Sequence, residues 1–344
     1  MGQEELAQLQ KALGGEVIVW QRPGTALPLF IEPGAPELVM NPERFRLWFE
    51  AHRDIVNTAL SNVGGIVFRG FAVNSTEDFA AFVDNYPGDA LGYSGGNAQR
   101  SAIAGRVFEA TRVAPHFRIT LHQEMAYLPR YPTKVAFYCR LPSQTGGETI
   151  LADMRQIDAA VDRKLYDRLK AEGLIHTRNF RAKSSPDDPP FLKFHRSWMD
   201  TFGTDDPRKA EADCETMGLE YEWQDDGSLS AIYRSSGFAT HPDTGREIWF
   251  NQIQSNAWSV ILGDDYALQA AYYADGRTPR SELRFGDGQL IPQEDIDTLM
   301  TVFDAHSTAF PWQAGDIMLL DNFYTAHGRN PFTGDRDVQV SLLF

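Results

Sequence analysis

The sequence predicts a mainly β fold with helical decoration around a β-sandwich or jelly-roll core. From about Arg106 onward, the apolar residues fall in short runs of strand length separated by turn signals. Helical spacing is confined to a few stretches and does not alternate regularly with the strands, as a doubly wound sheet would require. The 28 glycines and 19 prolines suit many turns and short strands. At 344 residues with 42 % hydrophobic content, the chain can bury a sizeable core, and it reads as one domain, 1–344.

Each element follows from local pattern. Asn41 to Leu60 has helical spacing, with Phe45, Trp48 and Phe49 followed by Ile55, Val56 and Leu60. GGIVFRGF (64–71) reads as a buried strand closed by Gly70, and Ser75 to Tyr86 as a helix capped by Ser75. These pieces make residues 1–90 an N-terminal decoration of helix and strand. RITLHQEMAY, TKVAFYCRL and GGETILADM read as strand segments, and Ile157 to Glu172 as one helix. KSSPDDPPFLKFH (183–195) is rich in Pro and charge, which marks an insertion or lid over about 178–215. Strand-like pieces return in 218–253, joined by the turns DDG and HPDTG. GDIMLLDN (315–322) and VQVSLLF (338–344) close the chain as strands.

Composition excludes several functions. With 47 acidic against 32 basic residues, the net charge of −15 disfavours nucleic acid and anionic membrane surfaces. A small anionic ligand stays possible, since one pocket arginine suffices. Two cysteines, Cys139 and Cys214, form no disulfide framework or zinc cluster, so a cytoplasmic location is expected. The start, MGQEELAQLQKALGG, has no signal-peptide pattern, and no apolar run approaches a membrane span.

His-x-Asp/Glu occurs three times, where about one match is expected by chance from eight His and 47 acids. His52-Arg53-Asp54 lies in the first helix, where residues two apart do not face each other. His241-Pro242-Asp243 reads as an Asx-type turn. His122-Gln123-Glu124 lies in an apolar β-like run from Ile119 to Tyr127, so His122 and Glu124 project from one strand face. A hydrogen-bonded structural pair is the plain alternative.

The C-terminal segment adds partners. His327 in DNFYTAHGRNPFTGDR is expected just past the end of a strand, where site residues collect. A last strand starting at Arg336 would put Arg336 on the apolar side with Val338 and Val340. A buried guanidinium there needs a carboxylate or phosphate. Two His and one carboxylate from distant positions make the facial triad of non-haem Fe(II) oxygenases, although zinc with a water fits the same ligands.

GGIVFRGF, LHQEMAY, GGETILADM, HPDTGREIWFNQ and AGDIMLLDNFYTAHGRNPFTGDR occur in this order from Gly64 to Phe344. In these pieces the chain resembles the taurine dioxygenase (TauD/TfdA-like) family of Fe(II)/2-oxoglutarate-dependent oxygenases. WMDTFGTDD and HPDTGREIWFNQ resemble its branch that hydroxylates amino acids or aminoacyl groups on carriers. The resemblance implies a double-stranded β-helix core. It implies His122, Glu124 and His327 as ligands of Fe(II), Thr149 and Arg336 as partners of 2-oxoglutarate, and O2 as cosubstrate. Arg329 is the runner-up for Arg336. The implied reaction hydroxylates an unactivated C–H of a small amino-acid-like molecule, free or carrier-bound, and releases succinate and CO2. Halogenating relatives carry a small residue where Glu124 stands, so halogenation is not expected.

Desaturation, epoxidation or cyclisation with the same cofactors remain open, as does a metallohydrolase or isomerase without 2-oxoglutarate. Candidate substrate contacts are Met125, Tyr127, Phe250, Asn251, Gln252 and Phe323, with Tyr93 and Arg100 in YSGGNAQR. Arg178, Arg181, Lys183, Lys193, His195 and Arg196 concentrate positive charge in the insertion, either as a solvated loop or as a lid meeting an anion. Monomer and homo-oligomer fit equally.

Overall fold

The computed structural model describes residues 1–86, 102–110, 113–189, 191–192, 195–262, 266–274 and 276–344. Eight strands form a large sheet in the order Val17–Gln21, Leu29–Pro33, Gly65–Phe68, Ile317–Asp321, Lys134–Leu141, Asp337–Leu343, Val107–Glu109 and Ala102–Ala104. Its pairings are antiparallel except between Leu29–Pro33 and Gly65–Phe68. A second, four-stranded sheet runs Ser307–Phe310, Thr149–Asp153, Thr325–Arg329, Ile119–His122, antiparallel throughout. A third runs Glu220–Trp223, Leu229–Ser235, Leu174–Phe180, Ser281–Phe285.

Alternation explains why the central strands read as continuous apolar runs. In the large sheet, Met318 and Leu320 share one core with Val135, Phe137, Cys139, Val338, Val340 and Leu342. That core also holds Leu151, Phe310 and Trp312 from the second sheet and the segment after it, so the two sheets pack face to face. On the opposite face, Ile317, Leu319, Ala136 and Tyr138 pack against Phe45, Trp48 and Phe49 of the helix Pro42–Val63. With both faces covered, neither can be polar.

The outer face of the second sheet repeats the pattern. Leu121, Ile150, Ala152 and Ala326 pack on Met154 and Ile157, and on Leu299, Met300 and Phe303 of the helix Gln293–Ala305. This leaves Thr120, His122, Thr149, Leu151, Thr325, His327 and Arg329 on the alternate positions, toward the large sheet.

The chain is more helical than expected, with eleven α-helices beside twenty strands among the described residues. The stretch 157–172 is two helices, Met154–Ala160 and Arg163–Glu172. Asp162 restarts the second by accepting hydrogen bonds from the backbone N–H groups of Lys164 and Leu165. Asn41 and Ser75 cap their helices as their residue types suggest.

Candidate metal centre and its cavity

The strand carrying His122 is shorter than the sequence implied, ending at His122 itself. Glu124 lies in the following turn, where Met125 takes a positive φ of 58°. The two side chains converge through that turn, not through strand alternation. The turn is held by buried amides. Asn322 Oδ1 accepts from Glu124 N at 2.7 Å, and Asn322 Nδ2 donates to the carbonyls of Glu124 (3.0 Å) and Pro132 (2.8 Å). Gln123 donates to Phe323 O, Gln252 to Gln123 O and Gln254 to Leu121 O. Four amide side chains thus fix the backbone from 121 to 124.

His327 is inside the strand Thr325–Arg329, not beyond a strand end. Asp321 Oδ1 accepts from Phe323 N and Tyr324 N, and this tight turn reverses the chain into a new strand. That strand pairs His327 with His122 on one side and with Leu151 on the other. The third His-x-acid motif supports this turn. His241 Nδ1 accepts from the backbone of Asp243 and Thr244, and Nε2 contacts Asp321 Oδ2 at 2.8 Å. The motif is a turn, but the imidazole rather than an Asx side chain caps it. His52 stays on its helix, bonded to Trp48 O.

The donor atoms of His122, Glu124 and His327 lie within 4.8 Å of one another. His327 Nε2 is 3.7 Å from Glu124 Oε2. His122 Nδ1 is 2.8 Å from Thr120 O; donating there leaves its Nε2 lone pair for a cation. His327 Nδ1 is buried with no hydrogen-bond partner among the described residues. An imidazole–carboxylate–imidazole cluster of this size, with Glu124 and His327 buried and His122 half-buried, fits a divalent ion with open positions.

The triad opens on a cavity of about 240 Å³ between the sheets. Both arginine candidates line it, together with Thr149, Phe137 and Val338. They are not equivalent. Arg329 shares the strand face of His327, but its guanidinium donates to the carbonyls of Val113, Ala114 and Phe117. Arg336 lies just before the final strand, Asp337–Leu343. Its Nε is buried without an acceptor among the described residues, and its guanidinium lies over the ring of Phe332, 5.6 Å away. Burial pulls the pKa of each down to about 10, aided for Arg329 by the charge of Arg336. Of the two, Arg329 is bonded to three carbonyls, whereas no hydrogen bond holds the Arg336 guanidinium among the described residues. Thr149 Oγ1 accepts from Trp312 Nε1 at 2.9 Å, which leaves its own proton to donate.

The other candidates divide. Tyr127 and Gln252 line the cavity. Met125, Phe250, Asn251 and Phe323 are buried but do not line it. Asn251 is satisfied by Gly237 O and Ile253 N, while Phe250 and Phe323 stack on each other. Tyr93, Arg100 and Lys193 lie outside the described residues. Of the basic residues assigned to an insertion, Arg178 sits on the strand Leu174–Phe180 and is buried. Arg181 is paired with Asp188, His195 is buried against Tyr273, and Lys183 is exposed. Sequence reasoning missed His176, Arg280, Asp321 and Asn322. Alternation in LIHTRNF carried a signal for His176, and the polar pair ending an apolar strand carried one for Asp321 and Asn322.

No helix among the described residues is long and apolar enough to cross a membrane. The clavaminate synthase-like protein of Arabidopsis thaliana is 30 % identical over 327 residues, covering 93 % of this chain and 89 % of that protein. The dapdiamide synthesis protein DdaC of Enterobacter agglomerans is 30 % identical over 296 residues, covering 86 % of each. A solved structure of PvcB, described as an Fe, alpha-ketoglutarate dependent oxygenase from an isonitrile synthetic pathway, shares the fold. Its TM-score is 0.50 at 14 % identity, covering 95 % of this chain and 90 % of that one. The model of the family described as "Taurine catabolism dioxygenase TauD, TfdA family" matches residues 30–342. With nearly the whole chain matched, this protein belongs to the TauD, TfdA family of dioxygenases.

Proposed function

We propose that the protein is an Fe(II)- and 2-oxoglutarate-dependent oxygenase that hydroxylates an unactivated C–H of a small amino-acid-like molecule, on a double-stranded β-helix core. The observation that carries this is a division of labour in one cavity. Three metal-type donors converge at one place, and the same cavity is lined by Arg336, whose buried Nε has no acceptor among the described residues. A metallohydrolase needs only the first. The relatives named for dapdiamide synthesis and as clavaminate synthase-like support a small-molecule substrate.

His122, Glu124 and His327 would hold the iron, and Arg336 with Thr149 would hold the distal carboxylate of 2-oxoglutarate. Iron, 2-oxoglutarate and O2 together supply the oxidising power, with succinate and CO2 as co-products. The chain positions these groups. The Asn322 clamp sets Glu124, the Asp321 turn sets the strand of His327, and the apolar walls Phe137 and Val338 keep water from the reacting carbon.

Anaerobic titration of the metal-free protein with Fe(II) and then 2-oxoglutarate tests this reading. A weak visible charge-transfer band is expected, lost in His122→Ala and weakened in Arg336→Ala. Bound iron with no band in wild type would refute 2-oxoglutarate binding. Product analysis then separates hydroxylation from desaturation, epoxidation or cyclisation.

A further inference from the structure

The cavity has a second cationic end. Alternation along the strand Leu174–Phe180 points His176, Arg178 and Phe180 to the same side, and all three line the cavity. Arg178 pairs in register with Ser281, and the residue before Ser281 is Arg280, whose carbonyl accepts from Asn179 N at 2.8 Å. Arg280 and Arg196 line the same cavity. Arg178 lies over the rings of Tyr127 (4.9 Å) and Phe180 (5.3 Å), and Arg280 over Trp258 (4.7 Å).

Charge balance makes this end unusual. Among the described residues lining the cavity, Glu124 is the one acid, and it belongs to the triad. Arg280 has no carboxylate within ion-pair distance among the described residues, in a chain whose net charge is −15. Burial, with like charge from Arg178 and Arg196, lowers the Arg280 pKa to about 10. His176 is buried beside them and held neutral, its pKa pushed down to about 3 by burial and by Arg178 and Arg280. Arg196 is faced by Asp200, so Arg280 is the guanidinium of this wall whose charge meets no carboxylate among the described residues, and a charge in a low-dielectric wall is unfavourable unless an anion joins it.

We propose that Arg178 and Arg280, with Arg196, form an oxyanion subsite that binds a free carboxylate of the substrate, making that substrate a small organic acid with its carboxylate unesterified. Resting on the oxygenase reading, this narrows its substrate class. Held there, the acid spans the cavity toward the triad, with Tyr127 and Gln252 along its length. A thioester-tethered aminoacyl group has converted its α-carboxylate to the thioester, so the subsite selects a free acid over a carrier-bound one.

The test is calorimetric titration of malonate, L-aspartate and L-glutamate, each against its diamide, which has no carboxylate. It is run on wild type with Fe(II) and saturating 2-oxoglutarate without O2, and again on metal-free Arg336→Met protein. Binding of at least one acid and not of its amide is expected in both, weakened tenfold or more by Arg280→Met and by Arg178→Met. The unliganded Arg280→Met protein should melt no lower than wild type, because the substitution relieves repulsion. Equal binding of acid and amide, binding unaffected by either substitution, or no acid binding in either protein would overturn the subsite. Absence of the charge-transfer band in iron-loaded wild type, with acid binding intact in the metal-free Arg336→Met protein, would instead count against the oxygenase reading alone.

Discussion

Asn322 gives the sharpest test of how the metal centre is held. Its side chain is fully buried and makes three hydrogen bonds to backbone groups of two segments. Asn322→Ala leaves one N–H and two carbonyls without their side-chain partner. Each orphaned buried group costs about 1–3 kcal/mol. Such costs are not additive, and carbonyls tolerate neglect better than N–H groups, so a loss of about 3–5 kcal/mol is expected. Asn322→Asp is nearly isosteric and keeps the acceptor for Glu124 N. It removes both donors and sets a carboxylate against two carbonyl oxygens, so it should cost at least as much. Because Glu124 is then free to shift, divalent-metal affinity should fall about 10–100-fold in both variants. Urea unfolding of the metal-free protein and Mn(II) titration measure the two effects. A stability loss below about 1 kcal/mol in both variants, with unchanged metal affinity, would refute the clamp.

Other outcomes follow from the same geometry. A Cβ on Gly328 would lie 2.4 Å from Ile119 O and 3.0 Å from Ile150 Cγ1, so Gly328→Ala should force apart the strands around His327. Loss of Mn(II) binding and a lowered melting temperature check this. Arg336→Met should raise the KM for 2-oxoglutarate about 100-fold, as loss of one charge-assisted contact predicts, while leaving the melting temperature near wild type. Arg329→Met should do the reverse, because three carbonyls of 113–117 lose their donor. Stability should also fall in acid. Burial is the main cause holding His195 and His176 down to about 3, whereas an unfolded imidazole takes its proton near 6.5. Their contribution is intact above about pH 6.5 and is lost as pH falls, by about 1.4 kcal/mol per pH unit for each. His195→Gln should reduce the proton uptake on unfolding at pH 5 by one; an unchanged slope would refute it.

Much of this was legible in the residues. Strands buried on both faces leave continuous apolar runs, and VAFYC and IMLL were read correctly as strands for that reason. Caps are local, so Asn41 and Ser75 declared their helices. That His122, Glu124 and His327 cluster, and that Arg336 lines the same cavity, was expected from residue type, because few residue types are metal donors or permanent cations. The strand carrying His122 was overextended because the turn at Glu124 is imposed by Asn322, about 200 positions away in the chain. The strand around His327 was missed because TAHGR has no apolar alternation of its own, its inner face being occupied by the site.

By itself, then, the sequence carried the resemblance to the family, the residue types of the three donors that cluster, and the alternating pattern that decides which side chains face inward. Those depend on residue type and on periods of two and 3.6 residues, which are local. Only the tertiary structure gave the Arg329 guanidinium three carbonyl partners and left Arg336 Nε with none among the described residues, excluded Met125, Asn251 and Phe323 from the cavity wall, and brought Arg178 and Arg280 to its far end. Those outcomes depend on which buried polar groups already have partners, and partnership is settled by contacts between segments far apart in the chain.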